Sequence, residues 1–295
     1  MSMLDFHATE EQMNIQKIIE DYAAEHGFIV GFCAAGADEA ALFETAKTVI
    51  VIGVGYGKKE NFATDDIPRG RLASYAIGTD YHITVRNILS ELRDYLHGVG
   101  MEFDSHIHVD SGPLPERHLA LKAGIGKLGR NSCIISEKFG SFFNIGCMLV
   151  SIPIVKNIDD SNADAPHSPQ CGNCTLCLTT CPTNALTEAG FDYTKCISYI
   201  TQKKGELSNW EQQVIGQHLF GCDVCQSICP RNVDRHVCEI TDINETLPPL
   251  ESFIKMTKSE FKEKYGNTAA FWRGLSTVKR NANAILNSFY KKGDN

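Results

Sequence analysis

The spacing of eight cysteines constrains this chain more than any other feature. Cys171, Cys174, Cys177 and Cys181 form a C-x2-C-x2-C-x3-C run that ends on Pro182. In this spacing three thiolates hold one four-iron, four-sulfur cluster, and the fourth, next to proline, serves a second cluster. A second run, Cys222-x2-Cys225-x3-Cys229-Pro230, has only three cysteines, and Cys196 lies between the runs to complete the set. The expected partition is Cys171, Cys174, Cys177 and Cys229 on one cluster and Cys181, Cys196, Cys222 and Cys225 on the other. A pair of zinc sites is the competing reading. Zinc pairs usually separate two C-x-x-C knuckles, whereas three close cysteines followed by Cys-Pro favour iron and sulfide. Cys33, Cys133, Cys147 and Cys238 lack such spacing and read as core or incidental thiols.

Two linked clusters carry electrons but do no chemistry on a substrate, so the residues before Cys171 are expected to hold the acceptor. Periodicity predicts helices over 10–25, 80–97 and 116–123, and strands over 48–54, 132–135 and 146–154. The expected fold class is α+β. The expected organisation is an α/β domain over 1–156, a linker over 157–170 rich in Asp, Pro and Ser, a two-cluster module over 171–240 and a helical segment over 241–295.

A chain of 295 residues with 43% hydrophobic content can bury a real core. The N-terminal stretch shows no secretion signal, and no apolar run reaches the roughly 18 residues of a membrane span. Cysteine-rich chains in a reducing compartment use thiols as metal ligands, so the expected location is the cytoplasm, away from membranes. The net charge of −8 argues against a general nucleic-acid binder. From Phe253 onward, however, nine Lys/Arg meet three Asp/Glu, a pattern that can draw an anion such as RNA to one face. A solvated basic helix is the alternative.

Gly124-x-Gly126-x-x-Gly129 matches a dinucleotide-binding string, but it follows a helix and precedes a strand, the wrong order for that turn. Gly53-Val54-Gly55-Tyr56-Gly57 lacks both the full spacing and a following helix. In His106-Ile107-His108-Val109-Asp110 the two histidines read as exposed polar positions of an edge strand. Asp110 differs, because Ser111-Gly112-Pro113 ends the strand there and sets its carboxylate at a strand terminus. A buried carboxyl at that point can keep its proton and act as a general acid.

Three further stretches complete a pattern: Tyr75-Ala76-Ile77-Gly78-Thr79-Asp80-Tyr81-His82, Asp110-Ser111-Gly112-Pro113-Leu114-Pro115-Glu116-Arg117 and Ala123-Gly124-Ile125-Gly126-Lys127-Leu128-Gly129-Arg130-Asn131. With Cys196-Ile197-Ser198-Tyr199, Gly221-Cys222-Asp223-x-Cys225-Gln226, Phe271-Trp272-Arg273-Gly274 and Arg280-Asn281-Ala282, the chain resembles the epoxyqueuosine reductase family over nearly its whole length. The resemblance implies a nitroreductase-like cobalamin-binding domain followed by a ferredoxin-like module, with cobalamin between them as the electron acceptor. It implies reduction of epoxyqueuosine to queuosine at the transfer RNA wobble position, the last step of queuosine synthesis, with an electron donor such as ferredoxin or flavodoxin. Asp110 falls on the family's proposed proton donor. Ile134, Ser198, Gly205, Cys222 and Asp223, with Asp110, fall in segments that line the corrinoid. Lys204 is expected on the RNA side, and Lys279 and Arg280 are expected to add to the RNA grip. Many family members continue into helical repeats beyond the point where this chain stops, and Cys147 stands where an acidic residue is common.

Two other readings share these features. A reductive dehalogenase has the same corrinoid and two-cluster plan but usually a twin-arginine signal, which is absent here. A ferredoxin-like carrier or corrinoid activator would pass its electrons to a partner protein instead of reducing a substrate.

Overall fold

The computed structural model describes residues 10–57, 67–154, 171–233, 249–269 and 272–293. The expected linker over 157–170, together with Cys238 and Phe271, lies outside them. In chain order the first elements are α1 (Glu10–Glu25), β1 (Ile29–Ala34), α2 (Ala37–Leu42), β2 (Thr48–Gly55), β3 (Arg71–Leu72) and α3 (Tyr81–Gly98). There follow β4 (Ser105–His108), α4 (Glu116–Lys122), β5 (Lys127–Leu128), β6 (Ile134–Ile135) and β7 (Phe143–Val150). The cysteine-rich part contributes α5 (Leu176–Thr180), β8 (Leu186–Thr187), β9 (Gly190–Phe191), α6 (Ile197–Gln202), α7 (Asn209–Val214), β10 (His218–Phe220) and α8 (Val224–Ser227). The chain closes with α9 (Leu250–Lys255), α10 (Lys258–Tyr265) and α11 (Leu275–Gly293). The class is α+β, as the residue pattern implies, and among the described residues no helix is long and apolar enough to cross a membrane.

The chain divides into two compact units whose boundaries differ from those expected. The first takes in the described residues of Met1–Gly55 and His82–Gly172, the second those of Tyr56–Tyr81, Asn173–Val233 and Glu239–Asn295. The described residues of 56–81, expected in the first domain, pack instead with the cysteine-rich residues. The reason is a parallel pairing of β3 with β10 and an Ala73 N–H bonded to the Phe220 carbonyl. Pairing across such a sequence separation leaves no local signature. The helices after Pro249 join the same unit, because α11 packs on α6, α7, α9 and β10.

The first unit is built on an antiparallel sheet of order β1-β2-β7-β4. Every residue of β2 is buried, as its continuous Val/Ile run requires of a central strand. Helix α3 covers the sheet with Val85, Ile88, Leu89, Leu92 and Leu96, a stripe at helical spacing. Gly146 of β7 makes that approach possible, since a Cβ there would stand 2.4 Å from Val85. On the other side Cys33, Val49, Val51, Leu119, Ala120, Ile134 and Phe139 form a core that seats α4.

The second unit has its own core, in which Ile200, Leu219, Phe220, Phe253, Val278, Ala282 and Ile285 converge. Asn281 is fully buried there and ties the unit together, its Nδ2 donating to the carbonyls of Thr201 (2.7 Å) and Leu219 (2.9 Å).

Candidate active site and cluster ligands

Cys177 lies on α5 and Cys225 on α8, and these short helices pack against each other, which brings the two cysteine runs into one neighbourhood. Cys181 and Cys229 each stand just after a helix in extended conformation, turned out of it by the following proline. Cys196 caps the start of α6. All eight cysteines are partly exposed.

Four of them influence one another electrostatically. Burial raises the Cys196 thiol, opposed by the N–H groups of Tyr199 and Ser198, and the thiols of Cys225 and Cys181 add to the rise. Burial pushes Cys222 up to about 12, with the Val224 N–H pulling the other way and Cys225 and Cys196 adding to the rise. Around Cys181 burial is outweighed by N–H groups of Thr183, Leu186 and Ala185 and by the Thr183 hydroxyl, so its thiol is lowered. Cys181, Cys196, Cys222 and Cys225 are the set assigned above to one cluster. Backbone N–H groups aimed at thiolate sulfur favour the ionised ligand and tune a cluster's potential. Among the described residues no three such side chains stand as close as a single metal ion needs. A cubane does not need it, because each thiolate binds a different iron and its four sulfurs are set wider.

In the first unit, β4 ends at His108, and Asp110 follows in the left-handed region with φ 53. A non-glycine residue there is strained by roughly 1–2 kcal/mol, and something must hold it. The Asp110 N–H donates to Glu116 Oε1 at 2.5 Å. Its carboxylate lies 3.4 Å from His82 Nε2, and Ser111 Oγ is also 3.4 Å from that nitrogen.

The expectation of a buried Asp110 does not hold: its side chain is 55% exposed. The buried carboxyl of this corner is Glu116, 14% exposed, at the first turn of α4. Burial pushes it up to about 7, the Asp110 N–H opposing, with the Asp110 charge raising it and His82 lowering it. His108 also departs from expectation. It is buried, not exposed, because its Cα partner Cys147 lies on β7 under α4, and burial lowers its pKa. Its Nε2 lies 3.6 Å from Glu116 Oε1. Residue pattern alone does not single out Glu116, because it reads as an ordinary acidic residue in a first helical turn; the one available signal is its place in the Asp110–Arg117 stretch.

The turn expected not to bind a dinucleotide has another use. Gly124 ends α4 at φ 72, and Gly126 lies so close to β6 that a Cβ would stand 2.6 Å from Ile134 and 2.9 Å from the Ile135 carbonyl. Ile134 itself is buried in the core. Nearby Asn131 is 6% exposed, and its Nδ2 has no hydrogen-bond partner among the described residues.

In the second unit Ser198 and Asp223 are both tied to the segment before α3. Gln202 Nε2 bridges Ser198 Oγ (3.0 Å) and the Tyr75 hydroxyl (2.9 Å). Asp223 Oδ2 accepts from the N–H (2.5 Å) and hydroxyl (2.6 Å) of Ser74. Gly221, at φ 73, permits this approach, since a Cβ would meet that of Ala73 at 2.5 Å. Gly205, at φ 84, has open space around it.

Of the three cations expected to meet RNA, Lys204 is exposed and Lys279 partly so. Arg280 requires correction. Its guanidinium donates to the carbonyls of Lys203 (2.7 Å), Gly205 (2.6 Å), Ile200 (3.1 Å) and Thr201 (3.4 Å), and to Asn281 Oδ1. With its donors engaged, Arg280 caps the end of α6 and is not available to a phosphate.

Comparison with known proteins gives a consistent picture. Residues 37–111 match the family model "Epoxyqueuosine reductase QueG", and residues 170–232 match "4Fe-4S double cluster binding domain". The chain is 37% identical to the epoxyqueuosine reductase of Staphylococcus aureus over 83% of its own length and 64% of the relative's. It is 30% identical to that of Leadbetterella byssophila over 95% of its own length and 91% of the relative's. The chain thus spans slightly under two thirds of the length of the Staphylococcus relative. Among solved structures, it superposes on an epoxyqueuosine reductase bound to an epoxyqueuosine-modified tRNA-Tyr stem loop with a TM-score of 0.81 and 28% identity, covering 94% of this chain and 82% of that one. A Bacillus subtilis epoxyqueuosine reductase, with an aspartate-bearing catalytic loop swung out of its active site, gives a TM-score of 0.82 at 28% identity over the same shares.

Proposed function

The chain belongs to the epoxyqueuosine reductase family, with a double 4Fe-4S cluster module, and from this we propose that it reduces epoxyqueuosine to queuosine at the wobble position of transfer RNA. The observation that carries the reading is Asp110, held by its N–H in a strained turn with an accessible carboxyl. Opening the epoxide and losing its oxygen as water takes two electrons and two protons. Asp110 supplies a proton to the departing oxygen as a general acid, and His82, 3.4 Å away, keeps the carboxyl oriented.

We infer cobalamin as the cofactor. The buried Asn131 Nδ2, without a hydrogen-bond partner among the described residues, fits the amide-rich rim of a corrinoid, and the open left-handed Gly205 leaves room for a bulky neighbour. Asp110, the main chain at Ile134, Ser198, Gly205, Cys222 and Asp223 are the residues that would hold it. When bound, it supplies a strongly reducing cobalt centre fed by single electrons from the clusters. Lys204 and Lys279 would contact the anticodon stem-loop. A ferredoxin or flavodoxin is the proposed electron donor, and a transfer RNA substrate puts the reaction in the cytoplasm.

The test is anaerobic turnover of an epoxyqueuosine-bearing stem-loop by the cobalamin-loaded protein, read as loss of one oxygen from the nucleoside by mass spectrometry. Asp110→Asn should abolish turnover while stem-loop and corrinoid binding persist, because the amide is nearly isosteric but has no carboxyl proton. Turnover retained in that variant removes Asp110 from the chemistry.

A further inference from the structure

We propose that Glu116 is the positioning residue for Asp110: its carboxylate fastens the Asp110 N–H and so fixes the left-handed turn that presents the Asp110 carboxyl beside His82. The inference rests on the reading of Asp110 as the proton donor. The geometry behind it is a clamp on both sides of one turn. From the α4 side, Glu116 Oε1 accepts the Asp110 N–H at 2.5 Å. From the β4 side, Gly112 sits over the buried His108 ring, where a Cβ would stand 2.3 Å from Cε1. Only a glycine lets the chain turn so tightly against that ring. His108 Nε2 is buried, has no hydrogen-bond partner among the described residues and faces Glu116 Oε1 at 3.6 Å, so a small shift closes the pair. The titratable groups around Glu116 are His108 on β4, Asp110 in the turn, His82 on α3 and Cys147 on β7.

A carboxylate accepts an N–H bond more strongly than a neutral carboxyl does. The hold on Asp110 therefore tightens as Glu116 loses its proton and loosens as it gains one. Burial places that change near neutrality. Glu116→Gln keeps an acceptor of the same length that cannot ionise, Glu116→Ala removes it, and Glu116→Asp shortens its reach.

Two measurements on the cluster-loaded protein test this. The first, independent of turnover, is amide hydrogen exchange of the segment 109–114 between pH 6 and 8. In the wild type, protection relative to the intrinsic exchange rate, which itself climbs with pH, should increase as pH rises through about 7. Glu116→Gln should lack that step, and Glu116→Ala and Glu116→Asp should exchange faster throughout with cluster absorbance unchanged. The second is turnover on the modified stem-loop. Glu116→Ala should lower kcat by roughly ten- to a hundredfold at unchanged KM, the usual scale for a misplaced catalytic group, with Glu116→Gln restoring most of it at neutral pH. If Asp110→Asn is inactive while Glu116→Ala turns over and exchanges like the wild type, this inference is overturned and the proton-donor reading stands. An active Asp110→Asn sinks that reading instead. Should Glu116→Ala fail to fold, Glu116→Gln decides alone: the same pH step as the wild type overturns the inference, and its loss supports it.

Discussion

Replacing Arg280 separates a structural cation from an RNA contact. In Arg280→Ala the carbonyls of Ile200, Lys203 and Gly205 lose their charged donor, while that of Thr201 keeps the Asn281 amide. Hydrogen bonds to a charged group contribute roughly 1.5–3 kcal/mol each, but water can reach part of this site and restore some of them, so a net loss of about 2–4 kcal/mol is expected. Alanine is the best helix former, so none of that loss comes from α11 itself. Lys279→Ala, one position away, should stay within about 0.5 kcal/mol as an ordinary surface change. Anaerobic urea unfolding of the cluster-loaded protein, followed by tryptophan fluorescence, gives both numbers. Binding of the stem-loop against salt gives the complementary measurement, with the slope of Arg280→Ala equal to that of the wild type. The reasoning is refuted by an Arg280→Ala protein of wild-type stability whose salt slope falls by about 0.7–0.9, the share of one phosphate contact.

Lys204→Gln with Lys279→Gln should lower that salt slope by about 0.7–0.9 for each residue that meets a phosphate, and an unchanged slope removes both from the interface. Cys196→Ser should cut iron from about eight to about four atoms per chain, since only one cluster draws on it; complete iron loss with the fold intact counts against the partition. Glu116 should also leave a mark on stability. Its folded-state pKa rises from 4.5 to about 7, so the protonated group favours the folded state fully below pH 4.5, and that advantage is lost as pH climbs to 7. The difference amounts to about 3 kcal/mol at 1.36 kcal/mol per unit. The stability of Glu116→Gln relative to the wild type should therefore rise by that order over this window, and a constant gap in urea titrations refutes it.

What could be read from the residues was whatever has a local cause. Helix α1 and β2 lie where periodicity and the Val/Ile run put them, because each buries one stripe or one continuous strand. The short strand β1 carries no clear local signature, as Gly31 interrupts its apolar run for a reason visible only in three dimensions: a Cβ there would stand 2.1 Å from the Ala123 carbonyl. Glu116 and His108 were illegible for the same reason, since their burial comes from α4 lying against β7. Arg280 and Lys279 look alike in the chain. They differ because Arg280 adjoins the buried Asn281 in the stripe of Val278, Ala282 and Ile285, and so reaches the end of α6.

The parallel pairing of β3 with β10 also sets a schedule for synthesis. Leu72 meets its partner Phe220 only after about 150 further residues have been made. At ribosomal speeds of roughly 5–20 residues per second, that leaves β3 without its neighbour for about 7–30 s. During that interval the sheet of the first unit can form from strands already emerged, whereas residues 67–81 wait with their apolar side chains uncovered. The core they join also needs α11, near the very end of the chain. A ribosome that stalls, or a gene cut before Leu275, would therefore release a chain whose early half is folded and whose cysteines have no finished scaffold to gather them.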